Sequence, residues 1–287
     1  CYFCSANCIV MKRLFVFGCS YTSWNWPTWA DLYAQEFDYY ENWGLPGLGN
    51  RAIAERVAEC NFKNKFTEDD TVVIQWSSHL RHDWLKFTED DHESWKTKGS
   101  IFNYHNVEKF SKHFLDTFFD EKAYFLHTLN NILLTTGLLK STKCKFFMTS
   151  ISKLNTLGSD IPHQDGHGEN IRNNPKLSNA WEEFGLQEYN EIFEEDHWLE
   201  PIGLHGWNRP DLSWWFTDDS NNKWVELHPS PQQHLSWLQS NLSQELTDEQ
   251  QNMIDTVVDC KTNDYIETIK KITSMQIANW DRSYRGL

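Results

Sequence analysis

The sequence predicts an α/β protein, a three-layer α/β/α sandwich built on a central, mostly parallel sheet. Three observations carry that expectation. Short apolar runs rich in Val, Ile and Phe alternate with stretches of helical period, the pattern of strands joined by crossover helices. Each apolar run stops at a small or polar corner, as buried strands do. The 287 residues, 39% of them apolar, suffice for one sizeable core.

The elements follow in order. Residues 13–17, "RLFVF", read as a short strand buried on both faces and ending at Gly18. Pro27 opens a helix through "PTWADLYAQEF", where Trp29, Leu32, Tyr33 and Phe37 share a face; proline suits a first helical turn because its missing N–H would have had no partner there. "YYENWG" is a second strand leading into the turn "GLPGLGN", and "RAIAERVAECNF" is an amphipathic helix with Ile53, Val57 and Ala58 inward. "DDTVVIQWSS" is the third strand, a helical stretch occupies 107–139, and "CKFFMTSI" is the fourth strand.

Two segments exceed a minimal sandwich. Residues 79–106, polar and aromatic, lengthen the crossover after the third strand. Residues 154–223 mix Gly, Asn, Pro, His and Trp, with one helical piece near 181–193. Both follow strand ends, so both fall on the rim where such sheets bind ligands. A single domain over 11–287 results, with Met11 as the natural start and residues 1–10 as an upstream extension.

Charge and composition narrow the function. A net charge of -15, spread through the chain, argues against nucleic acid as main partner and against anionic membranes, since phosphate surfaces call for basic ones. No apolar run approaches the roughly 20 residues that span a bilayer, and "KRLFVF" is too short for a signal peptide, so the expected location is cytoplasmic or otherwise without a leader. Among the seven cysteines, Cys19, Cys60, Cys144 and Cys260 stand singly in apolar or helical surroundings and read as reduced thiols. Cys1, Cys4 and Cys8 lack a fourth ligand at metal-site spacing. The paired histidines of "HLRHDW" and "PHQDGHGEN" read as polar rim loops, so neither metal nor cofactor is expected.

The 15 tryptophans are dense in "SWNWPTW" and "DLSWWF"; Trp24, Trp26, Trp76 and Trp215 are candidate stacking surfaces for a substrate such as a carbohydrate. Arg81 and Arg209 are candidates to orient an acidic one.

Ser20, Ser77, Ser78, Ser150 and Ser152 lie just past strand ends, with Gly47 in a turn on the same edge. A lone hydroxyl is a poor nucleophile at neutral pH and needs a base. His228, in "KWVELHPSPQQHLSWL", precedes a helix beginning near Pro229 and is placed to reach back over the sheet. Glu226, two residues earlier, can hold the imidazole in the required tautomer.

The segments "VFGCSYT", "NWGLPGLGN" and "ELHPS", in that order, resemble blocks I, II and V of the SGNH (GDSL-type) hydrolases. The resemblance implies a flavodoxin-like sandwich, Ser20 as nucleophile, oxyanion-hole N–H groups from Ser20 and Gly47, and His228 as base. Three departures accompany it. Cys19 replaces the aspartate before the nucleophile. "QWSSHLRHDW" replaces Gly-x-Asn-Asp, leaving Ser77, Ser78 or His79 to supply a further oxyanion donor, with Ser78 the candidate. Val225 stands where the acid is expected, and Glu226 is one residue out of register. A Ser-His dyad, a shifted Ser-His-Glu triad and an inactive site all stay open.

The expected function is hydrolysis of an acyl ester, with O-acetyl groups on carbohydrate the favoured class of small-molecule substrate. The alternative is a glycan-binding or structural protein on the same fold with weak or lost catalysis. Oligomeric state is not legible in the chain.

Overall fold

In the computed structural model, which describes residues 11–87, 93–100, 111–151, 154, 156–157, 178–179, 184–202, 210–242 and 245–283, the core grows around β1 (Arg13–Phe17). Leu14, Phe15, Val16 and Phe17 expose no surface. Each such side chain stabilises the fold by about 1.5–3 kcal/mol on full burial, which accounts for β1 lying inside the sheet rather than at its edge.

The chain passes from β1 through α1 (Trp29–Tyr33) to β2 (Tyr39–Asn42), then through α2 (Asn50–Asn64) to β3 (Asp70–Trp76). An antiparallel hairpin follows, β4 (Arg81–Phe87) and β5 (Glu93–Ser100), then α3 (Lys112–Phe118), α4 (Glu121–Thr142) and β6 (Lys145–Ser150). The short pair β7 (Thr156–Leu157) and β8 (Ser178–Asn179) precedes the hairpin β9 (Trp215–Thr217) and β10 (Lys223–Val225). Helices α5 (Pro231–Leu242), α6 (Asp248–Asp259) and α7 (Tyr265–Ser274) complete the described chain.

The central sheet has the order β2–β1–β3–β6 and is parallel throughout. Helix α2 packs on α4, while α1 packs on α5 and α5 on α6. This is the three-layer α/β architecture expected from the alternation of elements. The chain leaves β1 toward one side of the sheet and returns past it to β3 on the other, so the strand order reverses between β1 and β3. Register sets Phe17, the last residue of β1, opposite Ile74, so β1 stops two residues short of the end of β3 and the chain turns away over that edge. Ligands of open α/β sheets bind outside such a reversal point.

Local chemistry explains where elements stop. Thr28 accepts the N–H of Ala30 and Asp31 accepts that of Thr28, a reciprocal cap that starts α1 at Trp29, later than Pro27; the expected end of that helix is a 3-10 turn, Ala34–Glu36. The stretch expected to be helical over 107–139 forms two helices within the described residues, because Asp120 caps α4 by accepting the N–H of Ala123 at 2.7 Å. Segment 79–106 holds the β4–β5 hairpin rather than a plain loop. The helical piece near 181–193 is a 3-10 helix over Gln187–Phe193, and the helix expected at Pro229 begins at Pro231. Residues 1–10, with Cys1, Cys4 and Cys8, lie outside the described residues. Among the described residues no helix is long and apolar enough to cross a membrane.

Candidate active site

The chain turns sharply after β1. The N–H groups of Thr22 and Ser23 both bond to the carbonyl of Cys19, closing one tight turn with Ser20 at its start. The turn is locked from beneath: Thr22 Oγ1 donates to Gln75 Oε1 at 2.8 Å, and Asn42 Nδ2 donates to the Thr22 carbonyl at 2.7 Å. A Cβ on Gly18 would collide with Thr22 Oγ1, so a glycine there lets the turn fold this closely onto the strand. The N–H groups of Ser20 and Tyr21 find no acceptor among the described residues.

The second turn is tied to the same strand end. Trp43 N–H donates to the Val16 carbonyl and Leu45 N–H to that of Gly18. Leu45–Leu48 then forms a turn closed by Leu48 N–H to the Leu45 carbonyl, with Pro46 and Gly47 at its centre and Gly47 at φ 87°. Proline followed by a glycine of positive φ is the sequence a type II turn requires. Gly47 N–H also has no acceptor among the described residues.

His228 arrives from the far end of the chain on a loop held at three points. Glu226 N–H donates to the Trp214 carbonyl at 2.9 Å, Tyr21 Oη to the Leu227 carbonyl at 3.1 Å, and Trp26 Nε1 to the Pro229 carbonyl at 2.9 Å. Each such bond contributes about 0.5–1.5 kcal/mol, and together they set the loop over the turn after β1. Ser20 Oγ lies 2.9 Å from His228 Nε2, and His228 Nδ1 lies 2.7 Å from Glu226 Oε1. The same carboxylate oxygen accepts the backbone N–H of His228 at 3.1 Å. Glu226, two residues before His228, therefore reaches the imidazole, and Ser20, His228 and Glu226 form one continuous line.

Two further groups shape the imidazole's surroundings. Trp24 stacks on its face, with ring centroids 3.5 Å apart and planes at 19°, and Tyr21 meets it edge-on at 5.4 Å. His234, on α5, is wholly buried, and neither of its ring nitrogens has a hydrogen-bond partner among the described residues. Burial first, and the neighbouring His228 second, push its pKa down to about 3, so it stays neutral. Burial likewise pushes the Tyr21 hydroxyl far up, which keeps it a proton donor to Leu227.

The remaining sequence expectations divide. Trp26 and Trp76 are corrected: both expose no surface, Trp26 bonding to Pro229 and Trp76 Nε1 to Met148 Sδ at 3.5 Å, so neither offers a face to a substrate. Trp215 is 52% exposed on β9, beside the strand that leads to Glu226. Trp24 stands against the imidazole. The Ser78 hydroxyl accepts the N–H of Leu80 at 3.2 Å, which leaves its proton to donate. Ser77 is held at both backbone groups by the Asn50 carboxamide, at 2.7 and 2.9 Å, so its N–H is already used.

Arg81 Nη1 donates to the Leu48 carbonyl at 2.9 Å, which makes it a support of the Gly47 turn. In "HLRHDW" the side chains diverge: His79 meets Glu121, His82 meets Tyr124, and Asp83 accepts the N–H groups of Gly49 and Ala52. Arg209, Ser152 and "PHQDGHGEN" lie outside the described residues. Among the described residues no group of three or more His, Cys, Asp or Glu gathers at metal-binding geometry. Cys19, Cys60, Cys144 and Cys260 are free and buried.

Asn50 and Asp83 escaped the sequence reading. The only trace of Asn50 was its place after Gly49 at a helix start, and Asp83 was one acid among histidines. Comparison of the chain with family models and with curated proteins yields no match.

Proposed function

We propose that this protein is a serine ester hydrolase of SGNH type, with Ser20 as nucleophile, His228 as base and Glu226 as the orienting acid. The observation that carries the reading is the unbroken line Ser20 Oγ–His228 Nε2 at 2.9 Å and His228 Nδ1–Glu226 Oε1 at 2.7 Å, set at the strand-order reversal.

In this reading Ser20 Oγ attacks the ester carbonyl while its proton passes to His228 Nε2. Glu226 holds Nδ1–H and stabilises the imidazolium that forms. The N–H groups of Ser20 and Gly47, with the Ser78 hydroxyl, are the donors for the developing oxyanion. The imidazolium returns its proton to the departing alcohol; water then attacks the acyl-enzyme, giving up a proton to His228, and the carboxylic acid leaves with Ser20 restored. The neutral state of His234 favours this cycle, because a second positive charge beside His228 would oppose the imidazolium. Acyl esters, and O-acetyl groups on carbohydrate first among them, are the substrate class, supported by the exposed indole of Trp215 near Glu226.

The test pairs p-nitrophenyl acetate turnover with fluorophosphonate labelling of the wild type and Ser20→Ala. The expected result is turnover and one labelled peptide containing Ser20 in the wild type, and neither in the variant. Equal turnover by both proteins defeats the nucleophile assignment. The rival reading, a binding module with lost catalysis, draws on the occupied Ser77 N–H, which removes a backbone donor from the end of β3. It expects an unlabelled Ser20.

A further inference from the structure

A second concave site lies beyond the Gly47 turn. A cleft of about 570 Å³ opens between the start of α2, the β4–β5 hairpin and the helices α3 and α4. That volume falls within the range of about 300–1,000 Å³ usual for small-molecule sites. None of Ser20, His228 and Glu226 lines it.

Its walls differ in kind. One is aromatic: Trp84, 38% exposed, Phe114, and Phe118, 65% exposed, with His82 edge-on to Trp84 at 4.2 Å. The other is a face of α4, where Tyr124, His127, Thr128 and Asn131 recur at i, i+3, i+4 and i+7. Asn131, its neighbour Asn130 and His127 make no side-chain hydrogen bond among the described residues, so their donors and acceptors are open to the cleft. The formal charges, by contrast, are spoken for. Arg51 pairs with Glu55 at 2.8 Å, Arg81 donates to the Leu48 carbonyl, and Asp83 accepts two N–H groups at the start of α2.

We infer that this cleft binds a neutral saccharide, its ring C–H faces against Trp84 and its hydroxyls paired with His127, Asn130 and Asn131. Exposed rings opposite open carboxamides suit a ligand with an apolar face and a hydroxylated rim. Two guanidinium groups and two carboxylates line the cleft, so their formal charges cancel and leave no net charge to recruit an anion. The inference stands apart from the proposed esterase reading, because it uses no residue of the Ser20 line.

The test titrates Ser20→Ala protein, which removes any turnover, with xylohexaose, cellohexaose, mannohexaose and hexagalacturonic acid, by calorimetry and tryptophan fluorescence. At least one neutral hexaose is expected to bind, to weaken by about tenfold or more in Trp84→Ala and in Asn131→Ala, and to be unaffected by Phe62→Ala on the outer face of α2. Asn131 lies on a helix surface, so its variant separates loss of a contact from loss of the hairpin. No binding of any neutral hexaose at millimolar concentration, undiminished binding in either cleft variant, or preference for the galacturonic acid chain overturns the inference.

Discussion

Replacing Glu226 by glutamine removes a negative charge and leaves the shape of the site almost unchanged. In the wild type one oxygen of this largely buried carboxylate takes both the Nδ1–H and the backbone N–H of His228, at 2.7 and 3.1 Å. A hydrogen bond to a charged group is worth about 1.5–3 kcal/mol, and about 1.4 kcal/mol is a factor of ten in rate, so weakening the Nδ1 bond alone slows the reaction by about 10- to 150-fold. Glutamine adds a second fault: its NH2 can face Nδ1 and stabilise the tautomer that carries its proton on Nε2, which cannot accept one from Ser20. The equivalent carboxylate-to-amide change in serine proteases costs about 10,000-fold. Glu226→Gln is therefore expected to lower kcat/KM for p-nitrophenyl acetate by between about 10- and 10,000-fold, with an unchanged melting temperature. Activity within about threefold of wild type, alongside an inactive Ser20→Ala, would refute the role given to Glu226 and leave a Ser-His dyad.

Three further outcomes follow from the same geometry. Trp24→Leu removes the ring stacked on His228; a cation–π contact of about 0.5–2 kcal/mol puts the loss in kcat/KM at about 2- to 30-fold, and Trp24→Phe should recover most of it, so equal rates for the two variants would defeat the stacking argument. His234 is held down at about 3 when folded but titrates near ~6.5 when unfolded, so stability is lost as pH falls from ~6.5 toward ~3; this group removes about 2 kcal/mol between pH 7 and pH 5, and His234→Leu should be spared that drop in urea unfolding. An equal drop in both proteins would count against the buried neutral imidazole. Asp83→Ala leaves the N–H groups of Gly49 and Ala52 without their acceptor and should cost about 1–3 kcal/mol by denaturant midpoint; an unchanged midpoint would show that the carboxylate does not anchor the hairpin to α2.

Much of the fold was legible because it rests on local patterns. Runs such as "RLFVF" and "TVVIQW" can only be buried strands between helices of regular period, and β1, β2, α2, β3 and β6 appear close to where periodicity put them. The β4–β5 hairpin was not legible, since its alternation is interrupted by charged and aromatic residues and no tight-turn signature marks it. The aromatic residues misled most. Trp24, Trp26 and Trp76 look alike in the chain, yet the first lies on the imidazole and the other two are sealed in the interior.

The candidate site divides in the same way. By itself the sequence determined that small polar residues end the parallel strands and that a histidine stands before a late helix, because strand ends and helix starts are written in nearby residues. Only the tertiary structure decided that Ser20 and His228, 208 residues apart, come within hydrogen-bond distance, and that Glu226 reaches the imidazole despite its shifted register. Side-chain partnerships across that separation are set by how the layers pack, through bonds such as Tyr21 to Leu227 and Trp26 to Pro229, and no local pattern encodes them.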